Sequence, residues 1–154
     1  MRLALAQLRV EPAAVEANVQ RALDAVATAA DRGADLVALP ELFAVGFFSF
    51  DAYARSAEPV GGSIHRRLAD AAREHRIAVL AGSVVEDLAA TRETTDLQTP
   101  SREGLANTAV LFDADGDRRA LYRKHHLFGY DSEEATRLTP GEDIEGSVAD
   151  IGGF

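Results

Sequence analysis

The sequence predicts an α/β fold with a mixed sheet, and two observations carry that reading. Through residue 85, short apolar runs alternate with amphipathic stretches in the order β-α-β-α-β. Further on, "LANTAVLFD" and "RRALYRK" flank "DADGD", a turn signal between apolar runs that predicts an antiparallel hairpin.

Each element has a local reason. "LALAQL" (3–8) is a short apolar strand. Pro12 suits the first position of a helix, along which Val15, Val19, Leu23, Val26 and Ala30 recur at three- and four-residue spacing. Asp24 and Arg32 fall off that stripe, and Gly33 supplies the stop. "ADLVALPEL" reads as a buried strand closed by Pro40, which cannot donate to a central ladder, so Glu41 sits at a strand's carboxyl end. After an aromatic-rich connection, a second helix is expected from Ser63 to about His75, with Ile64, Leu68, Ala71 and Ala72 inward. "IAVLAGSVV" (77–85) is the third strand. Residues 86–104 are polar, without periodicity and longer than most connections, which predicts a mobile loop. The hairpin follows, Lys124 ends its second arm, and "SVADIGGF" reads as the start of another strand.

Composition narrows the function. A chain of 154 residues, 47% hydrophobic and 27% charged, has the size of a single domain over 1–154. A formal charge of -9 provides no basic field for nucleic acid or anionic lipid, so neither is an expected partner. "MRLALAQLRV" is interrupted by Gln7 and Arg9 and does not read as a signal or membrane segment; a cytoplasmic location is the expectation. The absence of cysteine removes disulfides, thiolate metal sites and a thiol nucleophile from these residues.

Chemistry concentrates at few positions. An acid after a proline at the end of a buried strand, Glu41, stands where open α/β sheets place ligand-handling groups. Lys124 is the only lysine, the other fifteen basic residues being arginine. Where arginine serves every generic charge, a compact ammonium marks a distinct task. His125 and His126 do not predict a metal site, because adjacent residues on an extended segment point to opposite faces; His126 is instead a candidate for shaping a pocket. Ser83 lies within a strand and lacks the G-x-S-x-G elbow of a nucleophile. Phe43, Phe47, Phe48 and Phe50 read as core or as a pocket wall near Glu41.

"LALAQL", "ADLVALPELF", "IAVLAGSVVE", "NTAVLFDADGDRRALYRKHHLF" and "EEATRLTPGE" resemble, in order and spacing, the nitrilase or carbon-nitrogen hydrolase superfamily. The resemblance implies a nitrilase-like α-β-β-α sandwich, incomplete in this chain, and hydrolysis of amide, nitrile or N-carbamoyl substrates through a Glu-Lys-Cys triad. It implies Glu41 as general base, Lys124 as the stabiliser of developing negative charge, and Glu134, matched by its spacing from Pro140 with Glu133 as the other register, as the acid beside the lysine. No metal or organic cofactor is implied, and association into a homo-oligomer is. The family nucleophile is a cysteine following a strand that begins like "VADIGGF", so these residues are expected to be the amino-terminal portion of a larger hydrolase. The alternatives are a short non-catalytic homologue that binds a small molecule or partner, and a doubly wound ligand-binding domain, which leaves "YRKHHLF" unexplained.

Overall fold

The computed structural model describes residues 1–129 and 132–142, so the strand expected in "SVADIGGF" lies outside the described residues. The chain runs β1 (Leu3–Leu5), α1 (Val15–Asp31), β2 (Leu36–Ala38), a 3-10 turn (Phe50–Ala52), α2 (Tyr53–Ser56) and α3 (Ser63–His75). It continues through β3 (Ala78–Leu80), β4 (Val84–Asp87), α4 (Leu88–Thr94), β5 (Leu105–Phe112), β6 (Arg118–Arg123) and α5 (Glu133–Arg137). The sheet is mixed: β1, β2 and β3 are parallel, whereas β5 runs antiparallel to β3, β4 and β6.

Strand β5 organises the sheet. Beta-3 and β4 pair along one of its edges and β6 along the other, in the register Thr108↔Arg123. The single third strand expected over 77–85 is therefore one bent arm. Leu80 pairs with Leu111 and Val84 with Thr108, so residues 81–83 stand opposite only two residues of β5. This is a bulge, and bulges re-aim neighbouring chain.

Alternation along the strands decides where the core lies. Val37 and Val79 pack beneath α1 and α3 with Val19, Val26, Leu68 and Ala72. The opposite face carries Leu5, 78% exposed, and the partly exposed Leu80 and Tyr122. Helices α1 and α3 thus cover one face of the sheet, while on the other Val85 packs with Leu42, Tyr53 and Leu138; among the described residues, no helix is long and apolar enough to cross a membrane.

Three expectations need correction. Helix α1 opens at Val15, not at Pro12, because Ala13 takes a left-handed φ of 58° and its N–H donates to the Val45 carbonyl. The buried Asn18 then ties the α1 entry to the rest of the chain, its amide donating to the carbonyls of Glu11 and Ala44. Residues 86–104 are not an unstructured loop throughout: Val84–Asp87 extend the sheet, and Asp87 caps α4 by accepting from Ala90 N, with Leu88 and Thr91 buried. His125 and His126 do not diverge, since the chain bends after β6 and their rings meet edge-on with centroids 4.6 Å apart.

The second helix and the hairpin form where expected. Glu58 Oε1 accepts from Ile64 N at 2.6 Å and takes the capping role at the start of α3 that no side chain of Gly62 could fill. At the hairpin, Asp113 Oδ1 accepts from the N–H groups of Asp115 and Asp117, closing the "DADGD" turn.

Candidate active site

Glu41 is set by the end of β2 and by the bulge beside it. Leu39 N donates to Leu80 O at 2.9 Å, the last rung before Pro40. The chain then turns sharply, and the buried Leu42 takes a left-handed φ of 46°, a conformation that disfavours a residue with a Cβ by roughly 1–2 kcal/mol. Two features of the bulge hold it there. Ser83 Oγ accepts from Leu42 N at 2.9 Å. Gly82 makes room for the turn, since a Cβ at that position would lie 2.0 Å from the Pro40 carbonyl oxygen.

Lys124 arrives from the other side of the sheet. Its N–H donates to the Asn107 carbonyl at 2.8 Å, continuing the β5–β6 ladder by one pair, and its side chain leaves on the face opposite α1 and α3. Lys124 Nζ donates to Glu41 Oε1 at 2.7 Å and to both Glu134 oxygens at 3.1 Å. Burial alone would lower the lysine pKa; the hydrogen bonds and charges of Glu41 and Glu134 outweigh it and hold the ammonium above its ordinary range. The Phe47 ring lies 5.4 Å from Nζ, a further contact favourable to a cation.

Glu134 is fully buried, and its carboxylate oxygens accept from groups on three other segments. Besides the lysine it accepts from Asn107 Nδ2 at 3.2 Å and from Phe128 N at 2.5 Å. Helix α5 presents it, with Ser132 capping the helix from below. The neighbouring Glu133 pairs instead with Arg137 on the surface, at 2.7 Å, which settles which of the two acids reaches the lysine.

Asn107 joins the two carboxylates. Its side-chain amide donates to Glu41 Oε1 at 2.8 Å as well as to Glu134. Glu41 Oε1 thus receives two hydrogen bonds, while Oε2 receives none among the described residues. The Tyr53 phenol, which donates to Phe47 O, is raised in pKa by burial and then by the charges of Glu134 and Glu41. It stays protonated at neutral pH.

These groups open into a pocket of about 410 Å³ lined by Glu41, Ser83, Asn107, Tyr122, Lys124 and His126, among others. Glu41, Lys124 and Glu134 are therefore brought together from positions 83 and 10 residues apart in the chain. His126 lies on the pocket wall. Asn107 is the residue that sequence reasoning missed; its signal was an amide inside the apolar run "LANTAVLF". Ser83 was weighed as a nucleophile, but its bond to Leu42 gives it a supporting task. Among the described residues, no group of His, Cys, Asp or Glu is arranged to hold a metal ion.

Glu41 and Lys124 thus meet at strand ends with Glu134 of α5 beside them, and comparison with known proteins gives the class. Residues 2–150 match the carbon-nitrogen hydrolase family, and the chain belongs to it. It is 34% identical over 151 residues to the omega-amidase NIT2 of Homo sapiens, a match covering 93% of this chain and 49% of that protein. The 2-oxoglutaramate amidase of Paenarthrobacter nicotinovorans is 32% identical over 110 residues, covering 71% of this chain and 34% of the relative. Among solved structures, an amidase from Nesterenkonia sp. superimposes with a TM-score of 0.73 at 30% identity, over 93% of this chain and 49% of that one. A variant of that amidase is described in complex with butyramide, with a TM-score of 0.66 at 28% identity. The chain spans about half the length of the omega-amidases it matches.

Proposed function

We propose that this chain supplies the base and the cationic stabiliser of an amide hydrolase, with the thiol nucleophile contributed from outside residues 1–154. The observation that carries this reading is the asymmetry of Glu41. One oxygen is anchored by Lys124 and Asn107, and the other is left to face a substrate. A carboxylate held in that way has a fixed direction, which general-base catalysis needs.

The chemistry follows from these positions. Glu41 takes the proton from the thiol as sulfur attacks the amide carbonyl, and the carbonyl oxygen gains negative charge. Lys124 faces that charge from a partly buried position, where an ammonium already in place stabilises it without reorganisation. Glu41 returns the proton to the departing nitrogen, ammonia leaves, and a thioester remains. Water then attacks the thioester, Glu41 again accepting a proton and passing it to the sulfur, so that a carboxylic acid is released and the thiol restored. Glu134 touches no reacting atom in this scheme; it holds Lys124 and Asn107 in place. The omega-amidase and 2-oxoglutaramate amidase relatives favour a small aliphatic amide as substrate over a nitrile or N-carbamoyl compound. His126 borders the space such an amide would occupy.

The test is to read the coding sequence past Phe154, express the longer protein, and measure ammonia released from butyramide, succinamate and 2-oxoglutaramate. Turnover is expected, with Glu41→Gln lowering kcat by about a hundredfold or more and Lys124→Arg by a similar factor, since a planar fork does not reproduce a compact charge. A longer protein without a cysteine after residue 154, or one whose turnover survives Glu41→Gln, would overturn the assignment.

A further inference from the structure

Arg123 and Lys124 are neighbours in the chain, yet their side chains leave the sheet on opposite faces. Lys124 reaches the pocket. Arg123 turns to the helix-covered side, where its Nε donates to Glu86 Oε2 at 2.7 Å and its Nη2 to Glu86 Oε1 at 2.8 Å. Its remaining nitrogen, Nη1, donates to the Gln98 carbonyl at 2.9 Å. Thr108 Oγ1 donates to Glu86 Oε2 at 2.6 Å. Glu86 is fully buried and Arg123 nearly so. Glu86 stands on β4, Thr108 on β5 and Arg123 on β6, so the cluster crosses three strands.

Stability alone does not account for such a pair. Removing two charges from water costs nearly what their attraction returns, and apolar replacements of similar volume are often neutral or stabilising. What a planar fork on a two-oxygen carboxylate does provide is a single alignment. Alignment matters here because a strand that slips by one residue turns every side chain to the other face. A slip of two residues would carry Lys124 about 7 Å along the sheet, well beyond reach of Glu41. The turn end of the hairpin does not fix this register unaided, since the β5–β6 pairing is already irregular at Leu111/Phe112.

We propose that the Glu86–Arg123 pair is a register lock: bonded across β5 on the rear face, it holds Lys124 opposite Asn107 and within reach of Glu41 and Glu134 on the front face. Its value to catalysis rests on the site assignment above, but its structural action does not. Glu86 and Arg123 are positioning residues, and neither lines the pocket.

Lys124 makes the test direct, because protein labelled with [15N]lysine gives one ammonium and one main-chain amide signal. The variant Glu86→Leu/Arg123→Met replaces the pair by apolar groups. It is expected to unfold cooperatively, while the Lys124 titration falls toward the ordinary lysine value of about 10.4. Its amide, now unpaired from Asn107, should exchange at least about tenfold faster. Glu86→Gln, which keeps the shape and weakens the fork, should shift both readouts in the same direction by less. Either variant folded with both Lys124 signals unchanged would overturn the lock, and Glu86→Gln decides the matter if the apolar pair fails to fold. Since lysine position and not turnover is read, a failed hydrolase assay would leave this result standing.

Discussion

Acidification should destabilise the fold through His65, a residue on the helix side of the sheet. His65 is buried in α3 beside Phe112, its Nδ1 accepts a long bond from Gly61 N, and its Nε2 has no hydrogen-bond partner among the described residues. Burial pushes the imidazole down from 6.5 to about 4; the Glu86 charge and the Pro59 carbonyl oppose that shift, and Arg118 adds to it. Between those two values the unfolded chain binds a proton that the folded chain refuses, so stability rises with pH across that window. The contribution is complete above pH 6.5, is lost progressively as pH falls to about 4, and changes no further below. At about 1.4 kcal/mol per unit the loss is roughly 3 kcal/mol. Urea denaturation of the wild type and of His65→Leu at pH 7.5, 5.5 and 4 measures it. Carboxylates titrating in the same range are common to both proteins and cancel in the difference. The variant carries a constant offset from the lost Gly61 bond, while the wild type alone should lose the additional 3 kcal/mol or so. Parallel pH profiles would refute the argument, because they would mean that the buried ring takes up its proton without cost.

Other perturbations test the supports of the site. Gly82→Ala drives a Cβ to 2.0 Å from the Pro40 oxygen at a positive φ, and should cost about 3 kcal/mol. Differential scanning calorimetry should show a fall in Tm of roughly 6–12 °C. Ser83→Ala leaves the buried Leu42 N–H without its acceptor, for a loss of about 1–3 kcal/mol in chemical denaturation. In Glu134→Gln the Lys124 titration should move down, since one of the two carboxylates that raise it is gone. The sign extends to stability: the wild type keeps the lysine's contribution below the ordinary value of about 10.4 and loses it as pH rises through the higher folded value. That alkaline loss should be smaller in Glu134→Gln, as read by circular dichroism along a base titration.

Glu41 and Lys124 were legible because each stands at the end of an apolar run, one after a proline and the other alone among arginines. Glu134 needed the family spacing, since Glu133 stands beside it and, of the two, only Glu134 reaches the lysine. Asn107 carried no such mark; an amide in a strand looks the same whether it faces water or joins two carboxylates, and the outcome depends on strands distant in sequence. Helix α4 escaped because seven residues with Leu88 and Thr91 inward make too short a stripe for periodicity to register. The bulge at 81–83 did leave a trace, an isolated glycine inside a strand pattern. Its purpose became visible only with Pro40 pressed against it.

The two faces of the β5–β6 ladder imply a pattern in what evolution and saturation mutagenesis can change. Thr108 and Arg123 form one rung, which belongs to the proposed lock; Asn107 and Lys124 form the next, which belongs to the proposed site. Substitutions at consecutive codons should therefore fall into separate phenotypic classes. Drift at the first rung would be answered by second-site suppressors elsewhere in the sheet, because a lost alignment can be restored by other contacts. Drift at the second would find no suppressor, because no neighbouring side chain offers an ammonium in its place.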